Sequence, residues 1–214
     1  PVEWTEDGWF RTKATATPIM SKQQIKHGLE LSDSFMGPEL GLQWTFWKQY
    51  DPQALRFEQG TLWMDAYGET PADGRKRLVD VGDKQYEAEV TINVGEGNTA
   101  GLVLFYNEKA YAGVTSDGKT FTVYLNVDKK VELPNRFGKH FIVRMRNDGN
   151  SMAINVSKDG KKWTLLTDGL DVSILNHNNF GEFCSLRVGL LSAGGGSAGF
   201  SRFCYRNTFV GSFS

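Results

Sequence analysis

The 214 residues carry 24 Lys and Arg against 25 Asp and Glu, a formal net charge of -1, and 40% of them are hydrophobic. Balanced charge without long single-sign runs excludes an electrostatic footprint for nucleic acid or an anionic membrane, and no run approaches the roughly 20 apolar residues of a membrane span. Six Trp, seven Tyr and fourteen Phe are ample material for the core of one large β-domain, so a soluble chain with neither nucleic-acid nor membrane partners is expected.

Residues 1–28 read as a leader or linker, the tail of something that precedes them. Within it, Glu3-Trp-Thr-Glu-Asp-Gly-Trp-Phe10 places an Asp-Gly turn between two aromatic-bearing extended pieces, which predicts a small hairpin. Residues 13–26 are polar and read as a surface connection. A sandwich is expected over 29–206, followed by a tail at 207–214.

The sandwich opens at Ser32-Asp-Ser-Phe and Gly41-Leu-Gln-Trp44. Strand alternation puts Leu42, Trp44 and Phe46 on one face and Gln43, Thr45, Trp47 and Gln49 on the other. Trp47 is then a large ring on a polar face. Either a bulge turns it inward or it covers the sandwich edge, or it is offered to a sugar or another domain.

Further on, residues 60–67 alternate Leu62, Met64 and Ala66 against Trp63, Asp65 and Tyr67. Residues 86–92 turn Tyr86, Ala88, Val90 and Ile92 inward and Glu87, Glu89 and Thr91 outward. Residues 100–106 are apolar on both faces, as a central, doubly covered strand would be. Ser116-Asp-Gly-Lys119 predicts a hairpin turn, and further turns at 147–150 and 159–160 separate the later strands. No amphipathic helix is expected. Antiparallel strands joined by repeated Asp-Gly turns predict an all-β jelly-roll sandwich of two packed sheets.

Motifs for a nucleophile elbow, a phosphate loop and a zinc helix are absent, and His27, His140 and His177 lack ligand spacing. Glu87 and Glu89 share an outward face and are the one carboxylate pair at a spacing open to glycoside chemistry, although solvated outward glutamates are far commoner. Cys184 and Cys204 lie symmetrically about Gly194. They pair if the glycine run Gly194-Gly-Gly196 closes a hairpin, and stay apart as thiols if it carries the chain between sheets.

Five blocks in order resemble the carboxy-terminal half of glycoside hydrolase family 43 enzymes of the β-xylosidase and α-L-arabinofuranosidase type. They are residues 1–9, the opening Ser32-Asp-Ser-Phe with Gly41-Leu-Gln-Trp44, Leu102-Val-Leu-Phe-Tyr-Asn-Glu-Lys-Ala-Tyr111, Val156-Ser-Lys-Asp-Gly-Lys-Lys-Trp163, and Val188-Gly-Leu-Leu with the glycines after it. The resemblance implies a concanavalin A-like sandwich packed against a five-bladed catalytic propeller in the same parent chain, with an oligosaccharide as substrate. No catalytic residue is then expected among these 214. It also implies that the loop 46–55 reaches the rim of the substrate pocket, with Trp47 and Tyr50 as its residues. Calcium is implied as well, held by Asp33 and by acids in the last strand. Gly199 and Ser201 stand where those acids would be, so the expectation is no cofactor, with calcium the one candidate.

Three readings follow, of which the last, a self-contained glycosidase using Glu87 and Glu89, rests on that carboxylate pair alone. In the first, the chain is a non-catalytic accessory domain of an enzyme acting on xylan- or arabinan-type polysaccharides. In the second, it is an autonomous carbohydrate-binding module, with Trp63 and Tyr67 joining Trp47 and Tyr50 in a stacking platform, and Asp65 or Gln49 binding hydroxyls.

Overall fold

The structure, a computed structural model, describes residues 2–12, 29–48 and 50–208. His27, Gln49, the connection 13–26 and the end of the expected tail fall outside them. Strands β1 (Val2–Trp4) and β2 (Phe10–Thr12) form the hairpin expected from Asp7-Gly8, closed by Trp4 packing edge-on against Phe10. Then follow β3 (Thr45–Phe46), β4 (Leu55–Glu58), β5 (Thr61–Asp65), β6 (Arg75–Asp80), β7 (Tyr86–Val94) and β8 (Asn98–Asn107). After these come β9 (Ala110–Ser116), β10 (Thr120–Leu125), β11 (Asp128–Pro134), β12 (His140–Asn147), β13 (Ser151–Ser157) and β14 (Trp163–Asp171). A single helical turn, α1 (His177–Phe180), precedes β15 (Arg187–Gly194) and β16 (Ser197–Asn207). That turn is absent from the sequence reading. It forms because the Asn176 side chain accepts from the amides of Asn178 and Asn179, a local cap that leaves no periodic signature.

Two seven-stranded antiparallel sheets face each other. Sheet I runs β11-β10-β9-β8-β15-β6-β3 and sheet II runs β14-β13-β12-β7-β16-β5-β4. The core between them takes the inward residue of each alternating pair, among them Leu62, Met64, Val90, Ile92, Leu102, Leu104, Val143, Ile154, Leu190 and Phe200. Strand β8 is covered on both faces as its composition predicts: Leu102 and Leu104 point into the core, while Val103 and Phe105 enter a second apolar cluster on the outer face of sheet I. Leu78, Tyr111 and Leu191 complete that cluster, with Trp47 and Ala72 packed against it.

The glycine run is a crossover. Strand β15 pairs with β6 and β8 in sheet I, whereas β16 pairs with β5 and β7 in sheet II, and Gly194 and Gly196 take positive φ between them. Cys184 and Cys204 are consequently separate thiols.

One expectation fails at the opening stretch. Only Thr45 and Phe46 pair as a strand, at the edge of sheet I beside Leu78 and Arg77. Residues 41–44 make a turn in which the Trp44 amide donates to the Gly41 carbonyl, so the period of two is broken. Trp44 is buried, but Leu42 and Phe46, expected to accompany it inward, are exposed.

Candidate functional site

The loop 46–55 is held at its base by Asp33. Its carboxylate accepts from the Phe35 amide at 2.7 Å and from the Trp44 indole Nε1 at 2.8 Å, and its backbone bridges to Phe203 in β16. Trp44 lies between Phe35 and Phe203. Edge strand β3 then carries the chain past β6, with Thr45 Oγ1 donating to the Leu78 carbonyl.

At Lys48 the backbone takes a positive φ of 59° and the two aromatics at the start of the loop part company. Trp47 folds back over the outer cluster. Its ring meets Phe105 edge-on at 5.2 Å, its Nε1 donates to Glu108 at 2.9 Å, and the Arg187 guanidinium lies 5.2 Å from the ring centre. Glu108 also pairs with Lys48; burial raises its carboxyl pKa, and the hydrogen bonds from Lys48 and Trp47 outweigh that and leave it below the ordinary glutamate range. Phe46 and Tyr50 instead face outward, rings 5.0 Å apart and 42% and 70% exposed, beside Leu42 at 90%. These three, with Leu40, Phe57 and Arg77, line a cleft of 400 Å³ at the sheet edge. Arg77 closes its floor, donating from Nη1 to the Lys76 carbonyl; burial, followed by the charge of Arg75, lowers its pKa to about 10.

The four aromatics of a stacking platform do not meet. Trp47 lies on the outer face of sheet I and Tyr50 at its β3 edge. Trp63 is on the outer face of sheet II, its ring across Gly199, where an added Cβ would come within 3.1 Å of the indole. Tyr67 follows the end of β5, beside Arg75. Asp65 is taken by Arg56. Glu87 and Glu89 are outward as expected, and both are ion-paired: Arg144 binds Glu89 at 2.6 Å while stacking on Trp163, and Arg206 binds Glu87. Each carboxylate is thereby held on the outer face of sheet II by an arginine.

The surroundings of Asp33 do not fit calcium. A hard cation wants several oxygen ligands, whereas both oxygens of Asp33 face N–H donors, and its neighbours in β16 supply no acid. Among the described residues no three His, Cys, Asp or Glu side chains are grouped to hold a metal ion.

Residues 32–206 match the family described as the β-xylosidase C-terminal concanavalin A-like domain, and the chain belongs to that family. Among solved structures, the family 43 protein BlXynB from Bacillus licheniformis superposes with a TM-score of 0.77 at 22% identity, over 97% of this chain and 46% of that one. The xylan β-1,4-xylosidase of Bacillus halodurans C-125 gives 0.75 at 20% identity, over 96% and 46%. A functionally unknown protein from Saccharomyces cerevisiae gives 0.54 at 17% identity, over 78% of this chain and 97% of its own. The chain thus spans about half the length of the two bacterial proteins, and nearly all of the yeast protein has the same fold. No curated protein sequence matches it.

Proposed function

We propose that the chain is a non-catalytic accessory domain of a glycoside hydrolase acting on xylan- or arabinan-type polysaccharides, packing on a family 43 catalytic propeller and lending it the loop 46–55. The observation that carries this is the division of labour in the loop. Trp47 is spent inward as an anchor, and what remains on offer is an apolar group, Leu42, Phe46 and Tyr50, beside an open cleft. Clustered exposed apolar side chains beside an open cleft mark an interaction site. Family membership and the half-length coverage of the bacterial xylosidases support the propeller as that partner.

Turnover of para-nitrophenyl xyloside and arabinofuranoside by the full gene product that carries this chain is the test. Tyr50→Ala and Phe46→Ala each lower kcat/KM by about tenfold, the equivalent of about 1.4 kcal/mol of transition-state stabilisation. Trp63→Ala, on the far sheet, leaves it unchanged. Wild-type turnover in both loop variants, or turnover that tracks this chain purified alone, overturns the reading.

A further inference from the structure

A second concavity lies on the outer face of sheet I, toward the edge away from the loop. It has a volume of 530 Å³, within the roughly 300–1,000 Å³ of small-molecule sites. Its floor is the outward row of β8, β9 and β10, where Gly101 pairs with Thr115 and Thr115 with Thr122. Gly113, opposite Tyr124, keeps the next row low, since a Cβ there would clash with the backbone of Leu102 and Val103.

One wall is the segment 69–72, and it is built rigid. Asp73 accepts from the amides of Glu69 and Thr70 and from the Thr70 hydroxyl. Lys76 Nζ donates to the carbonyls of Ala72 at 3.0 Å and Gly74 at 2.8 Å, with the Phe105 ring 4.6 Å away. The opposite wall is the half-buried ring of Tyr124, 6.0 Å from Tyr111.

Part of the hydrogen-bonding capacity of this groove is spent, with Thr122 donating to Glu132 and Asp117 accepting from the amides of Lys119 and Thr120, and part is not. The hydroxyls of Thr99, Thr115, Thr120, Tyr111 and Tyr124 line it and bond to nothing among the described residues. Its charges are Glu69, Asp117 and Glu132 against Lys129, which is already paired with Glu132. An aromatic face, a row of hydroxyls and an acidic balance suit a ligand rich in hydroxyls and free of negative charge. The carboxylates accept from vicinal hydroxyls and repel uronates and phosphates.

We infer that this groove binds a short stretch of a neutral glycan, with a sugar ring stacked on Tyr124 and its hydroxyls bonded to the threonine row. The inference does not rest on the docking of the loop 46–55, and it uses none of that loop's residues.

Calorimetric titration of this chain with xylohexaose, cellohexaose and trigalacturonate tests it. Saturable binding of at least one neutral hexamer is expected, with trigalacturonate weaker by about tenfold or more. Tyr124→Ala weakens the neutral hexamer by about tenfold, and Thr115→Val, which exchanges the hydroxyl for a methyl group of similar size, by about threefold or more. Phe183→Ala, an exposed ring outside both the groove and the loop, leaves the affinity unchanged, and because groove and loop share no residue, failure of the loop reading leaves this result standing. Flat titrations with both neutral hexamers overturn the inference. So does affinity retained by Thr115→Val and Tyr124→Ala alike, or trigalacturonate bound as tightly as the neutral sugars. Should Tyr124→Ala fail to fold, Thr115→Val carries the test.

Discussion

Lys76 is 1% exposed, and the sequence pattern of β6, Arg-Lys-Arg-Leu-Val, marks it as a surface residue. Two backbone carbonyls and an aromatic face hold it inside, as the peg that ties the segment 72–74 to sheet I. Burial, only partly offset by the carboxylates of Asp73 and Glu108, lowers its pKa to about 7 from 10.5. In that window the unfolded chain binds more protons than the folded one, so stability rises as pH climbs from about 7 toward 10.5. Below about 7 both states are protonated and the full cost of burying the ammonium applies, on the order of a few kcal/mol. Urea unfolding from pH 6.5 to 9.5 should therefore show a rising midpoint that flattens in Lys76→Met. An equal slope in the variant would show that Lys76 titrates normally.

The opening segment shows at the level of elements what was legible and what was not. Where a strand keeps its period, as β5 does at Leu62 and Met64 or β7 from Tyr86 to Ile92, the inward face is plain in the sequence, and so are the turn positions, because Asp-Gly pairs fix them locally. Between 41 and 50 the period is broken by a turn and by a positive φ at Lys48, a conformation that residue type does not announce. Trp47 stood out as an anomaly, but its anchor, Glu108, comes from the turn between β8 and β9, a pairing no local pattern encodes. The groove was missed for a similar reason. Its signal was the alternation Thr120, Thr122, Tyr124 on one face of β10, and it became a site only once β9, β11 and the segment 69–72 surrounded it.

Asp33 belongs to the same opening segment. Its two good acceptor bonds do what a cation would do elsewhere, fixing the segment to the last strand. Asp33→Ala leaves the Trp44 indole and the Phe35 amide without an acceptor and should cost about 2–4 kcal/mol in urea unfolding. Chelator should leave the melting temperature of the wild-type chain unchanged. A fall with chelator, reversed by calcium, would restore a metal to this position.

Across the whole molecule the two surfaces sit far apart on one sheet. Strand β10, under the groove, is five positions from β3, at the base of the aromatic loop, about 24 Å at ordinary strand spacing. Between them the outer face is closed by Phe105, Leu191, Leu78 and the folded-back Trp47, a rigid apolar slab. A groove for a glycan stretch at one edge and a loop for a catalytic pocket at the other would act on different parts of a polymeric substrate. In the full gene product, Tyr124→Ala should lower kcat/KM on soluble arabinoxylan, chiefly through KM, and leave para-nitrophenyl xyloside turnover alone, because a single sugar at the loop does not reach Tyr124 on β10, about 24 Å away at ordinary strand spacing. Tyr50→Ala should lower both. At this separation the two losses on arabinoxylan should add in free energy within about 0.5 kcal/mol in the double variant. A Tyr124→Ala effect on the aryl xyloside, or losses that fail to add, would mean that the groove and the loop are parts of one site.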